Sequence, residues 1–266
     1  NLIIYGAITN TSIGALFLAG ILPGIVLALA FMGVIIVASL LNPAVAGRPE
    51  RMAPWPERRK RLGDLLPPLA IFVLVMGSIY LGFATPTEAA GVGVVGALIL
   101  TGAYRSLTWP MLREAMLSTV TTTAMTLLIL VAAFYLNFIL GVLGVPAQVS
   151  AFVSGLEVGP VTMLMLLVVL YLILGCFLDA LAMMIATIPI VLPVVTHLGY
   201  DSVWFGIFLV MMCELALITP PVGMNLYVTQ SVRGRGQVGT VILGVLPFLA
   251  CILAVVALIA IFPGLL

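Results

Sequence analysis

The sequence predicts an all-α protein that crosses a membrane several times, and three observations carry that prediction. Hydrophobic residues make up 64% of the 266 positions and charged residues only 7%, against roughly 25% charged in soluble domains; the mean hydropathy is +1.35. The apolar residues gather into about eight segments, most of them near the roughly 20 residues that span a bilayer. No segment shows the alternation of a closed barrel, and lipid admits only helices or barrels because every backbone polar group must be satisfied within the protein. The net charge of +1 gives no reason to expect nucleic acid as a partner.

In chain order the segments are 13–41, 65–83, 89–103, 116–145, 161–177, 180–195, 203–228 and 238–262. After the first comes the connector 42–64, NPAVAGRPERMAPWPERRKRLGD, which holds six of the ten Lys and Arg residues. It is expected on the cytoplasmic side, with Trp55 at the headgroup level of the membrane lipid. The third segment opens at ATPTEAAG, where Thr85, Pro86, Thr87 and Glu88 read as a helix start. Within it GVGVVG, 91–96, spells a dinucleotide fingerprint but follows no soluble strand and has no acid about 20 positions on. Small residues at that spacing serve better to let two helix backbones approach.

The connector 104–114 carries Arg105 and Arg113 and is expected on the same face as 42–64, whereas 144–160 has Glu157 and no base, as the opposite face should. The side taken by Arg233 and Arg235, in 231–237, depends on how often the segments before them cross. In STVTTTAMT, 118–126, the residues Thr119, Thr122, Thr123 and Thr126 share a helical face. Their hydroxyls either line a polar path or bond within and between helices, and the second is the expectation. Cys176, Cys213 and Cys251 lie inside apolar segments as small hydrophobes, so no disulfide is expected. His197 stands alone at a segment end, a surface or capping position with no second ligand to suggest a metal.

LITPPVGMNLYV, 217–228, is the most informative stretch. From 203 to 228 only Glu214 is charged, yet Pro220 and Pro221 cannot donate backbone hydrogen bonds and Gly223 loosens the backbone after them. Broken backbone at membrane depth survives only when it is buried in protein or lines a watery cavity, which points to an ion or substrate site. Asp179 lies between two stretches each short for a full crossing, so a helix is expected to break there. An acid at that depth either serves function or caps the half-helix that begins near residue 180, and both roles can coexist. Glu214 divides evenly between a structural bond and a site role. The chain begins at Asn1, without methionine and without the charged start of a signal peptide, and reads as a fragment of a longer polypeptide.

ATPTEAAG, then GCFLDALAMMIATIPIVLPVVTHLGYD, then WFGIFLVMMCELALITPPVGMNLYV resemble the large membrane subunit of tripartite ATP-independent periplasmic (TRAP) transporters, the DctM-like permeases. NLIIYGAITNTSIGALFLAGILPG at the start is similar to the segment after that family's first hairpin, and the resemblance covers essentially the whole chain. It implies a multi-pass protein of the bacterial inner membrane, an elevator-type transporter with inverted repeats, discontinuous helices and a re-entrant hairpin. It also implies sodium-coupled import of a small organic acid, a periplasmic substrate-binding protein that delivers it, and a small DctQ-like membrane subunit. On this reading 1–41 is the end of the first hairpin and a broken helix, 42–64 the basic connector and 65–158 the helices of the second repeat. Residues 159–237 become the transport domain with its second hairpin at 203–230, and 238–266 the final span. Thr219, Pro220, Gly223 and Asn225 are then the candidate sodium ligands, Na+ being placed at Thr219 and Gly223, with Asp179 adding charge. Asn10, Thr11, Ser12 and Gly14 would serve a first sodium site. The alternative from another class is an intramembrane aspartyl protease using Asp179, which needs a second carboxylate that no motif supplies.

Overall fold

The structure is a computed structural model that describes residues 1–41, 54–155, 159–220, 223–234 and 236–265. The expectations for 42–53, Glu157, Pro221 and Arg235 lie outside the described residues. Twelve α-helices and no strand occur among them: α1 Leu2–Thr9, α2 Ile13–Leu41, α3 Trp55–Gly63, α4 Leu66–Tyr80, α5 Pro86–Ala103, α6 Trp109–Val142, α7 Val145–Gly155, α8 Pro160–Gly175, α9 Ala180–His197, α10 Ser202–Ile218, α11 Met224–Arg233 and α12 Val238–Ile261. Five of them, α2, α5, α6, α9 and α12, are long and apolar enough to cross a membrane. The chain is an all-α polytopic membrane protein. Large apolar side chains such as Leu18, Leu128 and Phe138 are more than half exposed, as a lipid-facing surface permits and a water-facing one does not.

Two compact units divide the chain, Ala46–Ile129 and the remainder, Asn1–Val45 with Leu130–Leu266. In the smaller unit α4 and α5 pack along each other. Gly93 makes this possible, since a Cβ there would stand 3.0 Å from Cγ2 of Val75. That is the close approach read from GVGVVG. The start of α5 is closed by a capping box: the Thr85 hydroxyl accepts from the Glu88 amide at 3.4 Å, and the Glu88 carboxylate accepts from the Thr85 amide at 2.8 Å. Glu88 is therefore a helix start, as its spacing predicts. The start of α4 (Leu66, Pro67) and the end of α5 (Ala103, Tyr104) line one groove at one edge of this unit.

Helix α6 starts at Trp109 rather than at 116, and its 34 residues reach about 51 Å, well beyond the hydrocarbon thickness of about 30 Å. Three of its threonines bond back to their own helix, Thr119 to the Ala115 carbonyl at 2.7 Å, Thr121 to that of Leu117 at 2.9 Å and Thr126 to that of Thr122 at 2.9 Å. The connector expected at 144–160 instead folds for most of its length into α7, after Gly144 turns the chain at φ 67°. His197 lies exposed in the last turn of α9.

Helix α10 is the centre of the larger unit, with α1, α2, α8, α9, α11 and α12 around it. Eleven of its 17 residues are buried, Trp204, Phe205, Phe208 and Met212 among them. Trp204 stacks between Tyr200 and Phe208, at 4.4 and 5.6 Å between ring centres. Its indole N–H donates to the Ile259 carbonyl at 3.1 Å. That acceptor is open because its helical donor would be residue 263, a proline without an N–H.

Around α10 one motif occurs twice. Helices α1 and α11 both have an Asn-Leu pair at their start, Asn1-Leu2 and Asn225-Leu226. Both end on a left-handed residue, Asn10 at φ 55° and Gly234 at φ 64°. Helices α2 and α12 then open on Ile13-Gly14 and Val238-Gly239 and carry Gly20-Ile21-Leu22-Pro23 and Gly244-Val245-Leu246-Pro247. The two long helices pack together, with Phe31 and Phe248 edge to face at 5.2 Å.

Candidate functional site

Two interrupted helices meet beside the C-terminal half of α10. The first interruption runs from Cys176 to Asp179, between α8 and α9. Asp179 is exposed, holds an extended backbone and caps α9, its Oδ1 accepting from the Ala182 amide at 3.1 Å. One level deeper, the Tyr171 hydroxyl donates to Oγ1 of Thr187 at 2.9 Å, and that hydroxyl donates to the Met183 carbonyl at 2.8 Å. A buried chain of hydroxyls thus fixes α8 against α9 behind the break, and such a chain stays costly to disturb.

The second interruption falls between α10 and α11, where LITPPVGM predicts it. Thr219 leaves the helical conformation and is buried, its hydroxyl donating to the Leu215 carbonyl at 2.6 Å and its amide to the Ala216 carbonyl at 3.2 Å. The Leu217 carbonyl gains no helical donor, because the positions three and four further on are both proline. Gly223 is buried and starts α11, its carbonyl accepting from the Leu226 amide at 2.8 Å. Pro220 is partly buried and Asn225 exposed.

Cys176 ties the two interruptions together, its thiol lying 3.2 Å from the Pro220 carbonyl. The Cys213 thiol lies 3.7 Å from the Ala180 carbonyl. Sulfur is a weak donor, so these contacts fix a close approach more than they bind it. The result is that α8 and α10 end, and α9 and α11 begin, within one small region. Helix ends carry partial charges of about half an electron, negative at C-termini and positive at N-termini. A hard cation therefore finds carbonyls here and an anion finds amides. Glu214, also exposed, accepts from the Asn1 side chain at 3.3 Å, so the start of α1 reaches the same neighbourhood.

The other predicted cluster lies elsewhere. Asn1 meets Glu214 near the end of α10, while the Tyr5 hydroxyl donates to the Ser202 carbonyl at its start, 2.6 Å away. Helix α1 thus runs against α10, and Asn10, Thr11, Ser12 and Gly14 fall toward the end of α10 opposite to Thr219. There Asn10 takes the left-handed conformation, Ser12 caps α2 through the Ala15 amide at 3.3 Å, and Thr9 donates to Thr11 at 2.7 Å. The structure does not bring these residues to Asp179 and Thr219. Among the described residues no group of three His, Cys, Asp or Glu side chains is placed to hold a metal ion.

The family profile described as the DctM component of tripartite ATP-independent periplasmic transporters matches residues 1–265. The chain belongs to this family. It is 35% identical, over 98% of its own length, to the sialic acid TRAP transporter large permease protein SiaM of Vibrio cholerae. It is 32% identical, over 99%, to the C4-dicarboxylate TRAP transporter large permease protein DctM of Pseudomonas aeruginosa. An ectoine/5-hydroxyectoine large permease, UehC of Ruegeria pomeroyi, is 30% identical over 98%. The chain spans 61% of the length of the first two relatives and 60% of the third.

This TRAP kinship places the chain among permeases and lends the protease reading of Asp179 no support. The helix breaks are where the backbone frees carbonyls and amides. Two residues at them are not singled out by the motifs. Cys176 reads as a small hydrophobe, and only the fold reveals the proline carbonyl 44 positions away. Asn1 does carry a signal, since its match to Asn225 in the repeated Asn-Leu start indicates a common place at the head of a half-helix. For Asp179 the cap makes a sharp expectation. Asp179→Ala should lower stability by about 1 kcal/mol and Asp179→Asn by almost nothing, because Asn caps as well as Asp; thermal unfolding of the purified protein measures both. If the charge also serves a cation, the Asn variant keeps its stability but needs more sodium for uptake, and Asp179→Glu recovers little because its carboxylate is displaced. Near-normal sodium dependence in the Asn variant would leave Asp179 as a cap alone.

Proposed function

We propose that this chain is the greater part of a TRAP large permease that imports a small organic acid together with sodium. On this reading it works in the bacterial inner membrane beside a small DctQ-like subunit, and a periplasmic binding protein delivers the substrate. Residues 159–237 form the moving transport domain, and 65–158 the scaffold and arm of an elevator.

The observation that carries the proposal is the meeting of four helix ends at Cys176 and Pro220. Sodium, as cargo, takes the hydroxyl and carbonyl oxygens of the second break, from Thr219, Leu217, Pro220 and Gly223, with the Asn225 side chain nearby. The substrate carboxylate takes the amides that open α9 and α11. The acids explain why the two travel together. At the two breaks the described residues offer Asp179 and Glu214, while from α8 to α11 only Arg233 is a fixed positive side chain. A carboxylate 4 Å from one such acid meets on the order of 4 kcal/mol of repulsion at an intermediate dielectric, which a co-bound monovalent cation offsets. The relatives' printed names range over sialic acid, C4-dicarboxylates and ectoines, and the site favours no one of them.

Uptake into proteoliposomes holding the full-length permease, its small subunit and the loaded binding protein tests this reading. Accumulation is expected only with an inward sodium gradient. Equal uptake with potassium in place of sodium would remove sodium coupling, and uptake without the binding protein would remove delivery.

A further inference from the structure

The smaller unit carries a groove that the transport reading does not use. It is open, about 380 Å³ in volume, and is lined by Leu66, Pro67 and Ala70 of α4 and by Leu100, Ala103 and Tyr104 at the end of α5. Of the lining side chains only that of Tyr104 carries a polar atom. One residue beyond Tyr104 stands Arg105, held at φ 53°, a left-handed backbone that few residues other than glycine adopt. The chain turns there through hydrogen bonds from the Arg105 amide to the Gly102 carbonyl at 3.0 Å and from the Ser106 amide to that of Thr101 at 3.1 Å. A glycine would make this turn without strain, so the arginine at the lip of the groove calls for a reason of its own.

Helix α3 supplies the second observation. It packs on α4 and ends at Gly63, three residues before the groove begins. In WPERRKRLG the run Arg58, Arg59, Lys60 and Arg61 outweighs Glu57 and the following Asp64, while Trp55 and Leu62 are about 75% and 68% exposed. A short helix with exposed apolar anchors and a surplus of base lies in the plane of the headgroups, and a cluster of bases beside a span attracts anionic lipid. Helix α3 and the groove therefore share one edge of the smaller unit.

We propose that this groove is a binding site for one anionic phospholipid, its acyl chain lying between α4 and α5 and its phosphate held by Arg105 with Arg58 of α3. The groove alone would accept any acyl chain. The charge beside it selects the headgroup, with each basic residue worth about fivefold in affinity if it contributes on the order of 1 kcal/mol.

Native mass spectrometry of the full-length protein in detergent, titrated separately with phosphatidylglycerol and with phosphatidylcholine of the same chains, tests the site. One phosphatidylglycerol is expected to bind at least tenfold more tightly than phosphatidylcholine. Arg105→Gln should cut that preference about fivefold, and Ala103→Trp, which fills the groove, should abolish tight binding of both lipids. Thermal unfolding checks that each variant stays folded; should Ala103→Trp unfold, Arg105→Gln still decides the matter. Equal retention of the two lipids, or a preference unchanged in Arg105→Gln, overturns the proposal and leaves only the ordinary lipid shell.

Discussion

Gly175→Ala is expected to disable the permease, and Ala216→Gly in the same chain is expected to restore much of what it loses. Gly175 closes α8 where that helix crosses α10, and a Cβ built on it overlaps the Ala216 Cβ and stands 3.0 Å from the Ala216 Cα. Neither neighbour is the tip of a flexible side chain, so the helices must move apart. Overpacking of this kind costs about 1–3 kcal/mol, and occasionally more. Function should suffer more than stability, because the next residue is Cys176, whose thiol meets the Pro220 carbonyl at 3.2 Å. Displacing the end of α8 by about half an ångström pulls one helix break away from the other, and binding geometry tolerates about that much. Uptake and unfolding midpoint are to be measured for both single variants and the double variant. The mechanism predicts a favourable coupling between the two changes. A Gly175→Ala protein as active and stable as the parent would show that the crossing has slack the geometry does not indicate.

The same crossing illustrates what the sequence discloses and what it withholds. Membrane residence, the spans and both helix breaks follow from local chemistry: prolines without amides, an acid between short apolar stretches, a Thr-Pro-Thr-Glu start. The caps at Glu88 and Asp179 follow from it too. Pairing does not. A helix such as α8 is apolar nearly all round, so no polar face says which side meets protein and which meets lipid. Cys176 meeting Pro220, Trp204 meeting Ile259 and Asn1 meeting Glu214 join residues tens to hundreds of positions apart, with nothing periodic to link them. Helix α7 stays hidden for a related reason, since VPAQVSAFVSG is too short and mixed to read as a span, and helix content outside spans leaves little trace in hydropathy. The placing of Asn10, Ser12 and Gly14 away from Asp179 becomes readable only once α1 is seen to run against α10.

Thr219→Ala should raise the sodium concentration for half-maximal uptake about tenfold, and Gly223→Val should abolish sodium-driven uptake while the protein still inserts and assembles. The Thr219 side chain is buried with its hydroxyl donated to the Leu215 carbonyl at 2.6 Å. Its oxygen lone pairs remain to face a cation, and a bond to a charged group is worth about 1.5–3 kcal/mol, hence a tenfold change or more. Thr219→Ser keeps that oxygen and is expected to behave nearly as the parent does, which separates loss of a ligand from loss of a methyl group. At Gly223 the effect runs through the backbone. A Cβ there would stand 2.9 Å from the Thr219 carbonyl oxygen and 3.2 Å from the carbonyl carbon of Ile218, so any larger residue must push aside the run of carbonyls proposed to hold sodium. Membrane yield and retention of the small subunit report assembly, and uptake at graded sodium reports the site. Should both variants assemble and keep the parent's sodium activation, the cation binds somewhere other than this break, and the polar turn from Asn10 to Gly14 becomes the place to test next.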